Sequence, residues 1–222
     1  MDSLAVIIPA AGRSSRFGSN KLEADLCGKS VFNRSIEAFA RRDDVKQIVV
    51  AGRTVDGSNK LRSVPGGACR AESVLLALHA VDPGIQWVAV HDAARPLVSQ
   101  ELIDRTFAEA TRHGAAAPAT PVHLTIKQGN GPLPCCVDRT IPRDHLWAMQ
   151  TPQIARRSDL LAAFDSCPVP LEMVTDDMQL LEYAGQPVRL VAGDDWNLKI
   201  TQPCDLVCAE FWLTQHVLAN RL

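Results

Sequence analysis

The chain alternates short continuous apolar runs with longer stretches in which apolar residues recur every three or four positions. Leu4-Ala5-Val6-Ile7-Ile8 contains no polar position and ends at Pro9. Such a run predicts a central strand buried on both faces. Val45 to Ala51 and Trp87 to Val90 predict two further strands, the second running into His91-Asp92. Between them, Val31, Ser35, Ile36 and Phe39 share one face of a helix predicted over Val31 to Arg41. Arg70 to Ala80 predicts a second helix with Val74, Leu75 and Leu78 inward. Gln100 to His113 predicts a third, closed by Gly114, a common residue at helix ends. Strands alternating with helices of this length imply an α/β fold built on a doubly wound, mostly parallel sheet. Ligands of such sheets bind at the carboxyl ends of the strands, so the loops after Ile8, Ala51 and Val90 are the places to look for chemistry.

The alternation breaks between Pro121 and Trp147. Leu124 to Gln128 and Pro134 to Thr140 are short strand-like stretches around Gly129-Asn130-Gly131, and Asn-Gly is a strong hairpin signal. A lone hairpin is marginal in water, so this one needs something to pack on. Residues 121–147 are therefore expected to be an arm reaching from a single domain, 1–222, towards a partner subunit.

Composition narrows the function. A chain of 222 residues suits one large α/β domain and buries about 70% of its unfolded surface without a disulfide or metal staple. Aromatic residues are only 5%, which argues against a surface that stacks single-stranded bases. The net charge of −2 gives no basic field for a nucleic-acid backbone or an anionic membrane. The apolar run Leu4 to Ala11 is too short to cross a bilayer, and nothing at the N-terminus reads as a signal peptide. The 7 cysteines are odd in number and form no CxxC pair. They are expected to be buried, reduced thiols of a cytoplasmic chain, with Cys204 and Cys208 packed one turn apart on an apolar helix.

Several segments carry candidate chemistry. After the first strand comes Pro9-Ala10-Ala11-Gly12-Arg13-Ser14-Ser15-Arg16-Phe17-Gly18-Ser19-Asn20-Lys21. Its small residues let backbone N–H groups approach phosphate oxygens, and Arg16 and Lys21 add charge for a polyphosphate. The P-loop Gly-Lys-Ser/Thr and the dinucleotide GxGxxG are both missing. After the third strand, Val90-His91-Asp92-Ala93-Ala94-Arg95-Pro96 places Asp92 where a carboxylate can hold a magnesium ion shared with phosphates. Arg95 is expected to clamp an anionic group, and His91 to be a packed or turn-bonded residue rather than a base. Gly66-Gly67-Ala68-Cys69-Arg70-Ala71-Glu72-Ser73 opens the second helix, with Arg70 and Ser73 on one face. Thr175-Asp176-Asp177 reads as a helix start capped by Thr175, and Asn197 to Thr201 as the end of a strand of about six residues.

No Ser-His-Asp order, HExxH motif or zinc-type spacing occurs. A phosphate monoester, with a second pKa of about 6, is already mostly dianionic near neutral pH. An enzyme using it as nucleophile needs placed cations rather than a general base.

Taken in order, PAAGRSSRFGSNK, GGACRAES, VHDAARP, TIPRDHLWAMQTPQ, TDDMQLLE and NLKIT resemble the 2-C-methyl-D-erythritol 4-phosphate cytidylyltransferases of non-mevalonate isoprenoid synthesis, from about residue 4 to residue 215. The resemblance implies a Rossmann-like nucleotidyltransferase with a protruding β-hairpin arm. It also implies transfer of the cytidylyl group of CTP to methylerythritol phosphate with a divalent ion, usually Mg2+. Arg16 and Lys21 would stabilise the transition state. Pro9, Ala10, Ala11, Gly12, Gly67, Arg70, Ser73, Asp92 and Ala93 would surround CTP, with Asp92 also at the metal. Arg95, Thr125, Thr151 and Thr175 would bind the second substrate, whose phosphate Arg143 and Lys199 would hold for attack. Arg139 stands in reserve for Arg143. The arm would interlock with its twin in a homodimer and help to form the neighbour's site. A cytidylyltransferase for another polyol phosphate, such as ribitol 5-phosphate, is the nearest alternative. A nucleotide-binding module without catalysis would be expected to lack the loop cations. Some members of the family carry a second enzyme at the C-terminus, for which a chain stopping at Leu222 leaves no room.

Overall fold

The computed structural model describes residues 3–12, 17–18, 20–57 and 59–219, with side chains as far as residue 215. Strand β1 (Leu4–Pro9) is followed by a small ribbon, β2 (Asp25–Leu26) and β3 (Lys29–Ser30), and by α1 (Val31–Ala40). Then come β4 (Val45–Ala51), β5 (Leu61–Val64), α2 (Arg70–His79), β6 (Trp87–Val90) and α3 (Gln100–His113). The second half runs β7 (Ala115–Pro121), β8 (Ile126–Gly129), β9 (Val137–Ile141), β10 (Trp147–Met149), β11 (Gln153–Arg156) and α4 (Arg157–Asp165). It closes with α5 (Asp177–Tyr183), β12 (Arg189–Ala192) and α6 (Pro203–Ala219).

The main sheet is mostly parallel. β1 lies between β4 and β6, parallel to both, and β5 extends the β4 edge in the same direction. On the other side β11 runs antiparallel to β6 and β7, and β12 pairs parallel with β7. β10 and β11 both pair antiparallel with β7, separated by Gln150-Thr151-Pro152. Helices cover both faces, which explains the unbroken apolar run of β1. Leu4, Val6 and Ile8 enter the core beneath α1 and α3, while Ala5 and Ile7 enter the core beneath α2, α4 and α5. Period-two alternation places the two sets on opposite faces, so every position must be apolar.

The predicted helices α1, α2 and α3 form where the periodicity places them. Ser30 and Ser99 cap α1 and α3 by accepting the backbone N–H of Asn33 and Leu102. Gly114 ends α3 at φ 98°, a conformation other residues rarely adopt. The hairpin forms as β8 and β9, a sheet of its own joined to the domain beside β7 and β10. No residue of 122–146 belongs to either core, and Leu124, Leu133 and Val137 stand exposed, Leu133 at 90%.

Three expectations are corrected. Asp176, not Thr175, caps α5, because its carboxylate accepts the Gln179 N–H; Thr175 instead donates from its N–H and hydroxyl to Gln179 Oε1. The strand expected to end at Asn197 to Thr201 is only β12 and stops at Ala192; residues 197–201 are irregular chain held by side-chain bonds. The cysteines are free but none is buried, and Cys204 and Cys208 are both exposed rather than packed.

Candidate active site

A cleft of about 690 Å³ opens at the carboxyl ends of β1 and β6. Its wall brings together Pro9, Ala10, Ala11, Gly12, Lys21, Gly67, Arg70, Ser73, Asp92, Ala93 and Lys199, all expected from the sequence. Arg16 lies outside the described residues. The floor is close-packed backbone: a Cβ on Gly66 would sit 2.5 Å from Ala11 Cβ, so glycine is required there. Ser73 Oγ accepts the Gly67 N–H at 3.0 Å and donates to the Cys69 carbonyl at 2.9 Å. The hydroxyl thus ties the glycine turn to the first turn of α2.

Asp92 is the electrostatic centre. Lys199 Nζ lies 3.0 Å and Arg95 Nε 3.2 Å from its Oδ2, while Arg70 Nε lies 3.6 Å from Oδ1. Burial alone would push this carboxyl up, but Lys199, Arg70 and Arg95 together hold it well below the usual range. Arg70 is pushed the other way: burial disfavours its charge, and Asp177 and Asp92 more than restore it. The cleft therefore presents fixed positive charge anchored on one ionised carboxylate.

Arg95, expected to clamp an anionic group, has its guanidinium engaged inside the protein. Besides Asp92, its guanidinium donates to the carbonyls of Asn197 at 2.7 Å and Met149 at 3.4 Å. It stitches three segments together and does not line the cleft.

Thr151 supports Asp92 from below. Its Oγ1 accepts the Asp92 N–H at 3.1 Å and lies 3.1 Å from His91 Nδ1. His91 Nε2 lies 3.1 Å from the Arg95 carbonyl, which can only accept, so Nε2 carries the proton and Nδ1 accepts from Thr151. Burial drives His91 down to about 4, outweighing the carbonyl bond that favours its charge. It is a neutral structural histidine, as the sequence implied.

The Thr-Pro-Gln segment fastens the remaining pieces. Asn197 Nδ2 donates to the Thr151 carbonyl at 2.8 Å and to Gln150 Oε1 at 3.2 Å, which fixes the irregular chain bearing Lys199. Gln153 Oε1 accepts the Asp177 N–H at 3.0 Å, and its Nε2 donates to Asp176 Oδ2 at 2.8 Å. The roles of Gln150, Gln153 and Asp177 escaped sequence reasoning. Their only signal was membership of motifs, since isolated polar residues carry no periodicity.

Thr125, Arg139 and Arg143 lie on the arm, exposed, and none lines the cleft. Arg139 Nε donates to Gln128 Oε1 at 2.8 Å within the hairpin, and Arg143 bonds the His123 carbonyl at the arm's base. Thr175 is also exposed. Among the described residues, no group of three or more His, Cys, Asp or Glu side chains is placed to hold a metal ion by itself. No helix there is long and apolar enough to cross a membrane.

A doubly wound sheet with a cationic cleft, lined by small residues, at the carboxyl end of its first strand marks an α/β protein of the nucleotide-binding class. The family model "IspD: 2-C-methyl-D-erythritol 4-phosphate cytidylyltransferase" matches residues 4–215, and the chain belongs to that family of nucleotidyltransferases. It is 40% identical over 238 residues to the 2-C-methyl-D-erythritol 4-phosphate cytidylyltransferase of Rhodopirellula baltica, covering 96% of each chain. The crystal structure of the Francisella tularensis 2-C-methyl-D-erythritol 4-phosphate cytidylyltransferase superposes with a TM-score of 0.84 at 32% identity, covering 95% of this chain and 99% of that one. The "Bifunctional enzyme IspD/IspF" of Desulfotalea psychrophila is 39% identical, and this chain spans 58% of its length.

Proposed function

We propose that the chain transfers the cytidylyl group of CTP to 2-C-methyl-D-erythritol 4-phosphate. The products would be 4-diphosphocytidyl-2-C-methyl-D-erythritol and pyrophosphate, a step of non-mevalonate isoprenoid precursor synthesis. The observation that carries this reading is the charge arrangement of the cleft: Arg70, Arg95 and Lys199 around Asp92, with Lys21 on the same cleft wall and His91 neutral and internally bonded. An acceptor phosphate that is already dianionic needs no base. Its oxygen forms a bond to the α-phosphorus of CTP as the bond to the pyrophosphate oxygen breaks. The residues align two anions and neutralise the charge gathering on the leaving group.

Ala10, Ala11, Gly12, Gly67, Ser73 and Ala93 fit the nucleoside as a close-packed backbone surface, and Pro9 ends the strand beneath it. Lys21, with Arg16, serves the triphosphate. Lys199 is placed to receive the acceptor phosphate, and Thr151 keeps the Asp92 loop in position. Asp92 fits a divalent cation: it is held ionised, lines the cleft, and its Oδ1 lies 3.6 Å from Arg70 Nε, beyond hydrogen-bond length. Mg2+ is commonly held by one or two carboxylates together with substrate phosphates, and when bound it would supply charge neutralisation. Three cations around a single carboxylate make such an ion depend on the triphosphate's own charge.

The arm completes the reading. None of its residues 122–146 belongs to either core and it carries Thr125 and Arg143, so it fits a homodimer in which each arm enters the neighbour's acceptor pocket. The cytoplasm, where CTP is available, is the matching compartment.

The test is pyrophosphate release from CTP with methylerythritol phosphate, with ribitol 5-phosphate, ATP and GTP run beside it. Turnover is expected with CTP and methylerythritol phosphate. Faster turnover of ribitol 5-phosphate would move the assignment to the other polyol, and comparable turnover with ATP would overturn the nucleotide assignment.

A further inference from the structure

Arg70 stands at the first turn of α2 between two carboxylates that belong to different parts of the site. Its Nη2 donates to Asp177 Oδ2 at 2.7 Å, while its Nε faces Asp92. Asp177 is 0% exposed and sits at the first position of α5. Its Oδ1 is buried without a hydrogen-bond partner, an expensive arrangement for a carboxylate. The helix does not require it, because Asp176 already caps α5. Gln153 grips both acids, one through the backbone and one through the side chain. Burial pushes the Asp177 carboxyl up and the Arg70 guanidinium opposes that shift, so the charge of Asp177 is held by its contact with Arg70, which lines the cleft. Two residues before Asp177 lies Thr175, which the family resemblance assigns to the second substrate.

We propose that Asp177 is a positioning residue of the nucleotide half-site, acting through Arg70 and tying that half-site to the start of α5. By engaging Nη2, Asp177 fixes the plane of the guanidinium, so the N–H groups left over are aimed at the anionic part of the bound nucleotide. Without Asp177, Arg70 would swing onto Asp92, neutralising the carboxylate and withdrawing its own charge from the cleft. The inference rests on the nucleotide reading of the cleft.

The experiment measures binding of α,β-methylene-CTP, which cannot release pyrophosphate, with Mg2+ to the full chain by calorimetry. Thermal melts establish that each variant is folded. Asp177→Asn keeps the shape and removes the charge; it is expected to weaken binding about tenfold, within the usual range for coupled neighbouring groups. In an Arg70→Met background the same substitution should add almost nothing, because its effect runs through Arg70. A purely structural role would lower the melting temperature and act alike in both backgrounds. Unchanged affinity in folded Asp177→Asn, or equal loss in both backgrounds, overturns the proposal. If Asp177→Asn does not fold, Gln153→Leu releases the Asp177 backbone without removing a charge; it should weaken binding in the same direction, and wild-type affinity there overturns the proposal. Failure of the wild-type chain to bind the analogue would instead overturn the nucleotide reading itself.

Discussion

Lys199 Nζ lies 3.0 Å from Asp92 Oδ2, joining the irregular chain after β12 to the turn after β6. Under the proposed function, the contact sets a cation of the acceptor side against the carboxylate of the nucleotide side. Lys199 is 40% exposed at its side chain, so an incoming phosphate can reach it without unpacking the core. Its partner Asp92 is buried, but Arg70 and Arg95 remain against that carboxylate when Lys199 is removed.

Lys199→Ala should therefore leave the melting temperature nearly unchanged while lowering kcat/KM for methylerythritol phosphate about 10²-fold or more, the usual effect of losing one preorganised cation. Lys199→Arg should recover part of the loss. Steady-state kinetics beside a thermal melt check both; a stable variant with full activity would remove Lys199 from the site.

Lys21→Ala should depress kcat more than it raises KM for methylerythritol phosphate, because its charge matters most as negative charge builds on the leaving group. A loss of about 10²-fold is expected. Unaltered kcat would show that another residue serves the triphosphate.

Asp92→Asn should reduce turnover about 10²-fold and raise the Mg2+ concentration needed for half-maximal rate. The substitution removes the one ionised carboxylate of the cleft wall and leaves Arg70, Arg95 and Lys199 without their common anchor. A magnesium titration of both proteins separates the two effects: an unchanged half-point would place the ion elsewhere.

His91 gives a pH signature. Burial holds its pKa down to about 4 from the ordinary 6.5, so between these values the unfolded chain binds a proton that the folded chain does not. Stability must rise with pH across that window and fall as the pH drops through it, by about 3 kcal/mol in all for a shift of this size. Urea midpoints of the wild type and of His91→Gln, compared from pH 7 to 4, should show the steeper fall in the wild type. Parallel profiles would contradict the neutral, Thr151-bonded histidine.

The arm predicts shared sites. A mixture of Arg143→Ala and Lys21→Ala subunits, each inactive alone, should regain activity if a site draws Arg143 from one protomer and Lys21 from the other. Arg139→Ala should lose much less than Arg143→Ala. A fully active monomer at nanomolar concentration would contradict the arrangement.

What the sequence revealed follows from which residues obey a period. β1, α1, α2 and α3 were legible because burial on one or two faces imposes regular apolar spacing, and the cleft loops followed from the strand ends. β5, with only its end residues half-buried, and the alanine-rich β7 carry no such pattern and were missed. The strand expected before Lys199 failed for a related reason: Asn197 and Gln150 replace ladder bonds with side-chain bonds, which no window of hydropathy reports. Arg95 has the composition of an anion clamp, and only its three internal acceptors show that the protein itself uses the guanidinium. The cysteines misled because thiols are usually buried, whereas the hairpin carrying Cys135 and Cys136 has no core to offer them.

Direct displacement at the α-phosphorus of CTP, driven by placed cations, has a signature in phosphorus NMR of a reaction containing equal CTP, methylerythritol phosphate and Mg2+. The acceptor's monoester signal should disappear as a diphosphate diester and pyrophosphate appear in equal amounts. Hydrolysis of CTP with the monoester signal left intact, or no change at all, would contradict it.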